Sequence, residues 1–330
     1  NNDVYFLGTK DKYSELLIKE GFKFINFNLS QKGKNIFYEL LTLFRLLIIF
    51  FKLRPDYIFS FTIKPNLYSL FFAYFLNLKI VVNITGLGNT FINKNFINYF
   101  IIQSYKILLK KSHYVFFQNK DDLNLFKKKK LIKNNSFDVL PGSGIDTKLF
   151  NSFHSKNINI KKTNFIFCGR TIREKGIYEY CEASKIISLE KKDVEFNILG
   201  FNDYNHLKNK YNHINFLDSN NFNFDSLENF DCLILPSYRE GLPRSVLEFS
   251  IRGIPSIVTD VPGCRSIIKN QFNGLICQPN SIKSLVDCIK IFLDLPLTTR
   301  SKMSYNARKY VIENYDENIV IDKYLNLINN

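Results

Sequence analysis

Short runs rich in Val, Ile, Phe and Tyr alternate along this chain with longer segments of helical period, and that alternation leaves few folds open. Parallel strands need long crossover connections, and a helix after each strand supplies them, so the chain reads as α/β throughout. In the first half, strands are predicted over Asp3–Leu7, Lys23–Phe27, Tyr57–Phe61, Lys79–Ile84, Tyr114–Gln118 and Phe137–Leu140, with helices near Lys12–Glu20, Ile36–Leu53, Leu67–Asn77, Phe96–Lys111 and Lys120–Lys129. The polar stretch Asn151–Lys162 reads as a linker. A second alternation follows, with strands over Asn164–Cys168, Glu195–Leu199, Ile214–Leu217, Cys232–Leu235, Ser256–Thr259 and Gly274–Ile276. Two Rossmann-like domains with parallel sheets are expected, residues 1–151 and 152–330.

The balance of 45% hydrophobic and 23% charged residues is that of a globular chain. Its net charge of +15 is unevenly placed: residues 1–150 hold 22 Lys and Arg against 10 Asp and Glu, and residues 151–330 hold 23 against 20. A basic face attracts phosphates, whether of anionic lipid headgroups or of a phosphorylated substrate. The positive charge is spread over βα surfaces and matches no nucleic-acid-binding pattern, so no nucleic acid partner is expected. All six cysteines lie in the second half without a C-x-x-C pair, and the four histidines have no metal-ligand spacing. Reduced thiols, a cytoplasmic location and no metal are therefore expected. No charged, apolar leader precedes Asp3–Leu7, so no signal peptide is read.

The segment Asn35–Arg54 is very apolar, but Glu39, Arg45 and Lys52 interrupt it before it reaches the roughly 20 apolar residues of a spanning helix. Two readings stay open for it. It is a core helix facing the sheet, or an interfacial helix with Arg45, Lys52 and Arg54 at the level of anionic headgroups. The run Lys127–Lys130 suits the second idea or is a solvated face.

Chemistry concentrates between Asp231 and Ile268. A buried strand ends at Leu235-Pro236, a short loop presents Glu240-Gly241, and a helix starts near Pro243. Ligands of open α/β sheets bind outside the carboxyl ends of such strands, so Glu240 points into a cleft. Glu248 lies about two turns further along the helix. Backbone N–H groups at the helix start, around Leu242–Arg244, form an anion site between the two carboxylates.

Glu240 and Glu248 match the E-x7-E motif of family 4 retaining glycosyltransferases, and the chain resembles that family over nearly its whole length. The strand-loop-helix Asn164–Tyr180 fits the family's G-R and K-G pattern at Gly169-Arg170 and Lys175-Gly176. The resemblance implies a GT-B fold of two facing lobes. It implies that Glu240 meets the transferred sugar near its reacting carbon and that Glu248 binds the ribose. Arg170 and Lys175 would hold the donor diphosphate, where fixed cations stabilise growing leaving-group charge. The helix-start residues Gly241, Leu242, Pro243 and Arg244 would complete the substrate site.

In the first half, Ser60–Ser69 and Asn83–Phe91 look like motifs of the branch that adds sugars to undecaprenyl-diphosphate-linked glycans, including N-acetylgalactosaminyltransferases and capsule or O-antigen enzymes. On that likeness Lys64, Thr85 and Gly86 belong to the substrate site. Gly86 and Gly88 either let the backbone approach a ligand or serve as turn glycines. The family's usual opening strand, Gly-rich turn and helix are not found in the sequence, so the first lobe is read from its second strand. The His that many relatives carry at first-lobe strand ends is also missing. The implied reaction is transfer from a nucleotide-sugar, UDP-linked, to a lipid-linked glycan, with retention and without a metal or other cofactor, peripheral on the inner face of the cell membrane. A nucleotide-sugar epimerase and a non-catalytic glycan- or partner-binding GT-B module are the alternatives.

Overall fold

The structure is a computed structural model that describes residues 3–27, 36–87, 96–132, 136–148, 162–200, 205–218, 222 and 224–329. The first lobe runs β1 (Tyr5–Gly8), α1 (Lys12–Lys19), β2 (Lys23–Asn26), α2 (Ile36–Leu53), β3 (Tyr57–Phe61), α3 (Ile63–Leu76), β4 (Lys79–Ile84), α4 (Phe96–Leu108), β5 (Tyr114–Phe117), α5 (Lys120–Lys128) and β6 (Phe137–Val139). Strands β3-β4-β5-β6 form one parallel sheet in chain order, and β1 pairs with β2 in a separate parallel ribbon. Side chains alternate across a strand, so Ile80, Val82 and Ile84 of β4 join Leu70, Tyr105 and Phe126 in the core under α3–α5. Val81 points to the opposite face, with Phe116 and Leu140.

The second lobe runs β7 (Thr163–Gly169), α6 (Ile177–Glu190), β8 (Val194–Gly200), α7 (Asn205–Lys210), β9 (Ile214–Leu217), β10 (Cys232–Leu235), α8 (Arg244–Ile251), β11 (Ser256–Thr259), α9 (Pro262–Ile267), β12 (Gly274–Cys277), α10 (Ile282–Asp294), α11 (Leu297–Tyr315) and α12 (Glu317–Asn329). Its parallel sheet has the order β12-β11-β10-β7-β8-β9. The order reverses between β10 and β7. At such a switch point the connecting helices leave to opposite faces and open a crevice beyond the strand ends.

Helix α12 returns to the first lobe and covers the sheet face that α3–α5 leave bare. Val320 joins Val81, Phe116 and Leu140. The Tyr324 ring stands edge-on to Phe59 and Phe116 at 5.3 and 5.1 Å, and its hydroxyl donates to Asn83 Oδ1. Lys323 Nζ reaches Asp138 Oδ2 at 2.5 Å.

Helix α2 combines both readings: Leu46 and Phe50 are buried with Phe27 and Phe72, and Leu7 of β1 and Ile58 of β3 pack against them, whereas Phe37, Phe44 and Phe51 are more than half exposed. It also packs beside α3, where Phe50 meets Phe72 at 6.2 Å. Helix α3 begins earlier than expected, at Ile63, because Pro65 sits in its first turn, where a missing N–H costs nothing. Among the described residues no helix is long and apolar enough to cross a membrane. Gly88, most of the polar linker and the division at 151/152 lie outside the described residues.

Candidate active site

The loops after β7 and β10 meet at the switch point. Gly176, at φ 73°, lies so close to the Pro236 carbonyl that a Cβ there would overlap it, and Tyr238 N–H donates to Glu174 O at 2.9 Å. The two loops are thus packed and hydrogen-bonded to each other. Within this pair Glu240 Oε1 accepts from Lys175 Nζ at 2.5 Å and from Ser237 Oγ at 2.7 Å, with Glu240 only 9% exposed. The Thr259 hydroxyl donates to Ser237 O and fixes the loop from β11. Burial and then the nearby Glu240 carboxylate push the Cys264 thiol far up, so it stays protonated beside the site. Arg170 is exposed at the end of β7.

Pro243 precedes α8 without a side-chain cap, so the first-turn N–H groups face the crevice end of the helix. Arg244 Nε donates to Glu248 Oε1 at 2.8 Å, one helical turn on, and Arg244 Nη1 reaches Ser143 Oγ of the first lobe at 3.3 Å. Glu240 and Glu248 are therefore held by different cations on either side of the helix start. Leu242 packs on Gly142 of the first lobe. A cavity of about 550 Å³ beside the β7 loop is lined by Thr171, Ile172, Arg173, Tyr178, Glu179 and Tyr238.

The first lobe presents its own strand ends to this loop. A Cβ on Gly241 would overlap the Thr85 carbonyl oxygen, and one on Gly86 would come within 3.1 Å of Gly241 Cα. Gly86 combines a positive φ of 132°, which suits glycine, with close approach between the lobes. Thr62 holds φ 69° at the end of β3, a left-handed conformation unusual for a β-branched residue. Lys64 Nζ pairs with Glu39 Oε1 at 2.6 Å, and Tyr68 donates to the other oxygen of the same carboxylate.

Sequence reasoning missed Ser237, Arg239, Asn119 and Asp122. Arg239 Nη2 donates to Asp122 Oδ1 at 3.0 Å, and Asn119 Nδ2 donates to Gly241 O at 2.9 Å. Burial pushes the Asp122 carboxyl above its usual range, against the pull of Asn119 and Arg239. Asn119 followed by Lys-Asp-Asp signals an N-cap, and nothing local in it says that the cap also reaches another lobe. Among the described residues no group of three His, Cys, Asp or Glu could hold a metal ion.

Two parallel-sheet lobes that meet strand end to strand end, with the ligand crevice at a switch point between them, are the arrangement of the GT-B fold. Residues 150–310 match the family described as Glycosyl transferases group 1. The chain is 28% identical over 346 aligned positions to a Campylobacter jejuni N,N'-diacetylbacillosaminyl-diphospho-undecaprenol alpha-1,3-N-acetylgalactosaminyltransferase, covering 99% of this chain and 90% of that one. It is 28% identical to an Escherichia coli UDP-Gal:alpha-D-GlcNAc-diphosphoundecaprenol alpha-1,3-galactosyltransferase, covering 57% of this chain and 53% of that one. Among solved structures, Anabaena HepE in complex with UDP-glucose superposes with a TM-score of 0.78 at 14% identity, covering 98% of this chain and 91% of that one. The chain carries a group 1 glycosyltransferase domain in a GT-B fold, and the protein is a glycosyltransferase.

Proposed function

We propose that this enzyme transfers a sugar from a UDP-sugar to a polyprenyl-diphosphate-linked glycan, with retention of configuration, at the inner surface of a membrane. The observation that carries this is the pairing of Glu240 with Lys175 beside the uncapped start of α8. That arrangement gathers a carboxylate and a cation at the switch point, with backbone donors at the start of the helix that begins four residues after Glu240. Both relatives named above have diphospho-undecaprenol in their names, and HepE was solved with UDP-glucose.

In this reaction the acceptor oxygen bonds to the anomeric carbon as the bond from that carbon to the phosphate oxygen breaks. The acceptor proton passes to the leaving phosphate, and UDP departs. Arg170, Lys175 and the α8 N–H groups meet the charge that grows on the diphosphate, Glu240 meets the sugar, and Glu248 meets the ribose. The cavity near Arg173 and Tyr238 has the size of a small-molecule site and offers room for the nucleoside. Thr85, Gly86 and Lys64 border the acceptor.

The membrane placement rests on the outer helical layer of the first lobe. Phe37, Phe44 and Phe51 of α2, Phe75 of α3 and Phe96 of α4 are each more than half exposed. Between Ile36 and Lys111 the sequence carries nine Lys and Arg against Glu39 and Asp56. An apolar layer flanked by cations suits an anionic lipid surface.

The test is a screen of UDP-N-acetylgalactosamine, UDP-galactose and UDP-glucose with prenyl-diphosphate-linked N-acetylhexosamine acceptors, reading product and anomer by NMR. Transfer of an α-linked sugar from an α-linked donor is expected. An inverted product would refute retention, and donor epimerisation without transfer would refute the acceptor assignment.

A further inference from the structure

Arg239, Glu240 and Gly241 cross the cleft in sequence, yet they are not held by the same lobe. Glu240 turns into the second lobe, where Lys175 and Ser237 fix its carboxylate. Both of its neighbours are held by the first lobe. Arg239 pairs with Asp122 at 3.0 Å, their side chains only 18% and 3% exposed. The Gly241 carbonyl accepts from Asn119 Nδ2 at 2.9 Å, and Gly241 itself lies against Thr85 and Gly86.

Asn119 divides its amide between two tasks. Its Oδ1 accepts from Asp122 N–H at 2.8 Å and caps α5. Its Nδ2 donates both to Gly241 O and, at 3.0 Å, to Asp122 Oδ2. The cap alone would be satisfied by Ser or Thr, which have no second donor that reaches so far. Only the amide serves the other lobe.

A buried carboxylate is weak support for stability, because desolvation offsets much of its pairing energy. Asp122 gains its charged partner only when the second lobe delivers Arg239. Parting of the lobes would return Asp122 to water, and would strip the Gly241 carbonyl of its donor. The peptide on either side of Glu240 would then lose its first-lobe anchors and keep only second-lobe contacts, the Gly263 N–H to Glu240 O at 3.2 Å among them, while Lys175 and Ser237 would remain in place. The position of Glu240 is thus tied to closure of the cleft.

We infer that Asn119, Asp122 and Arg239 are positioning residues: a clasp between lobes that aligns Glu240 for transfer only when the first lobe is docked. This rests on the transferase reading above and adds to it that the first lobe governs the chemical step and not only acceptor binding. None of the three is among the residues assigned to the donor, so the clasp acts on turnover rather than on UDP affinity.

The decisive variant is Asn119→Ser, which keeps an oxygen to cap α5 and removes the donor to Gly241. Its kcat is expected to fall about ten- to hundred-fold, the range for losing a hydrogen bond that aligns a preorganised site. UDP affinity by calorimetry should change by less than about two-fold, and Tm by no more than a few degrees, since the cap persists. Arg239→Lys, which keeps the charge, should retain more turnover than Arg239→Ala. Hydrogen exchange of the peptide containing Glu240, read in the unliganded chain, should quicken in Asn119→Ser while that of α5 does not. Unchanged exchange overturns the clasp whatever the activity. Normal kcat in Asn119→Ser, or a loss of UDP affinity equal to the loss of kcat, also overturns it. An inactive wild-type chain with the quickened exchange would instead leave the clasp standing and refute the transferase reading.

Discussion

Lys175 Nζ lies 2.5 Å from Glu240 Oε1, so the cation expected to hold the donor diphosphate is already committed to the carboxylate expected to meet the sugar. Donor binding has to share or displace that contact. Glu240→Gln removes the competing charge, and UDP affinity is therefore expected to hold or rise while transfer falls about 100- to 1000-fold. Glu248→Ala should do the reverse, weakening UDP with less effect on turnover. Calorimetry with UDP beside steady-state kinetics checks both, and equal losses of UDP affinity in the two variants would remove the division of roles.

Lys175→Ala and Arg170→Ala are expected to lower kcat more than they weaken donor binding. Each cation meets a charged diphosphate in the ground state, but the charge grows as the sugar leaves, so part of each interaction exists only in the transition state. The loss should be about 2.7–4 kcal/mol in activation free energy for each. Lys175→Ala also leaves Glu240, 9% exposed, with Ser237 as its remaining hydrogen-bond partner, so its effect should exceed that of the exposed Arg170. Near-normal turnover of Lys175→Ala at saturating donor would move the diphosphate site elsewhere.

How much of this was legible beforehand follows from the range of the interactions. Strands such as Tyr57–Phe61 and Cys232–Leu235 were read to the residue, because alternation and turn chemistry are local. Glu240, Glu248, Arg170 and Lys175 stand out as candidates in the sequence because each sits in a loop-to-helix pattern within a few residues. Asn119 and Arg239 were not, since their partners lie more than 110 residues away and their local context reads as an ordinary cap and an ordinary surface arginine. The exposure of α2 was illegible for a related reason: an apolar period shows which stripe can be buried, and not whether anything covers the others.

Acid should loosen α2 from α3. Burial is the largest influence on the Glu39 carboxyl and pushes it up, but hydrogen bonds from Lys64 and Tyr68 together hold it below its ordinary value of 4.5. A depressed folded-state value means the stabilisation is fully present above 4.5 and is lost as pH falls through the lowered value. Glu39→Gln is thus expected to cost about 1–2 kcal/mol at pH 7, a cost that shrinks progressively as pH falls below the ordinary carboxylate range, measured by urea unfolding. A cost that does not shrink on acidification would show that packing, and not the ion pair, joins the helices.

Membrane attachment should separate into two contributions. Burying Leu46 and Phe50 contributes about 1.5–3 kcal/mol each, enough to seat α2 but leaving Phe44 and Phe51 at 59% and 57% exposure without a partner in the chain's core. Phe44→Ser with Phe51→Ser should therefore weaken binding to phosphatidylglycerol vesicles while leaving Tm nearly unchanged, because these rings are not holding the fold. Arg45→Glu with Lys52→Glu should reduce binding by more than about 30-fold, at about 1 kcal/mol for each cation near an anionic surface. The charge-dependent part should vanish in high salt, since screening shortens from about 8 Å at physiological strength to about 3 Å at 1 M. Sedimentation with vesicles of phosphatidylglycerol and of phosphatidylcholine, at both salt levels, separates the two contributions. Equal binding to the neutral vesicles would show that the cations are not facing lipid, and no binding to either would leave the apolar layer to some other partner.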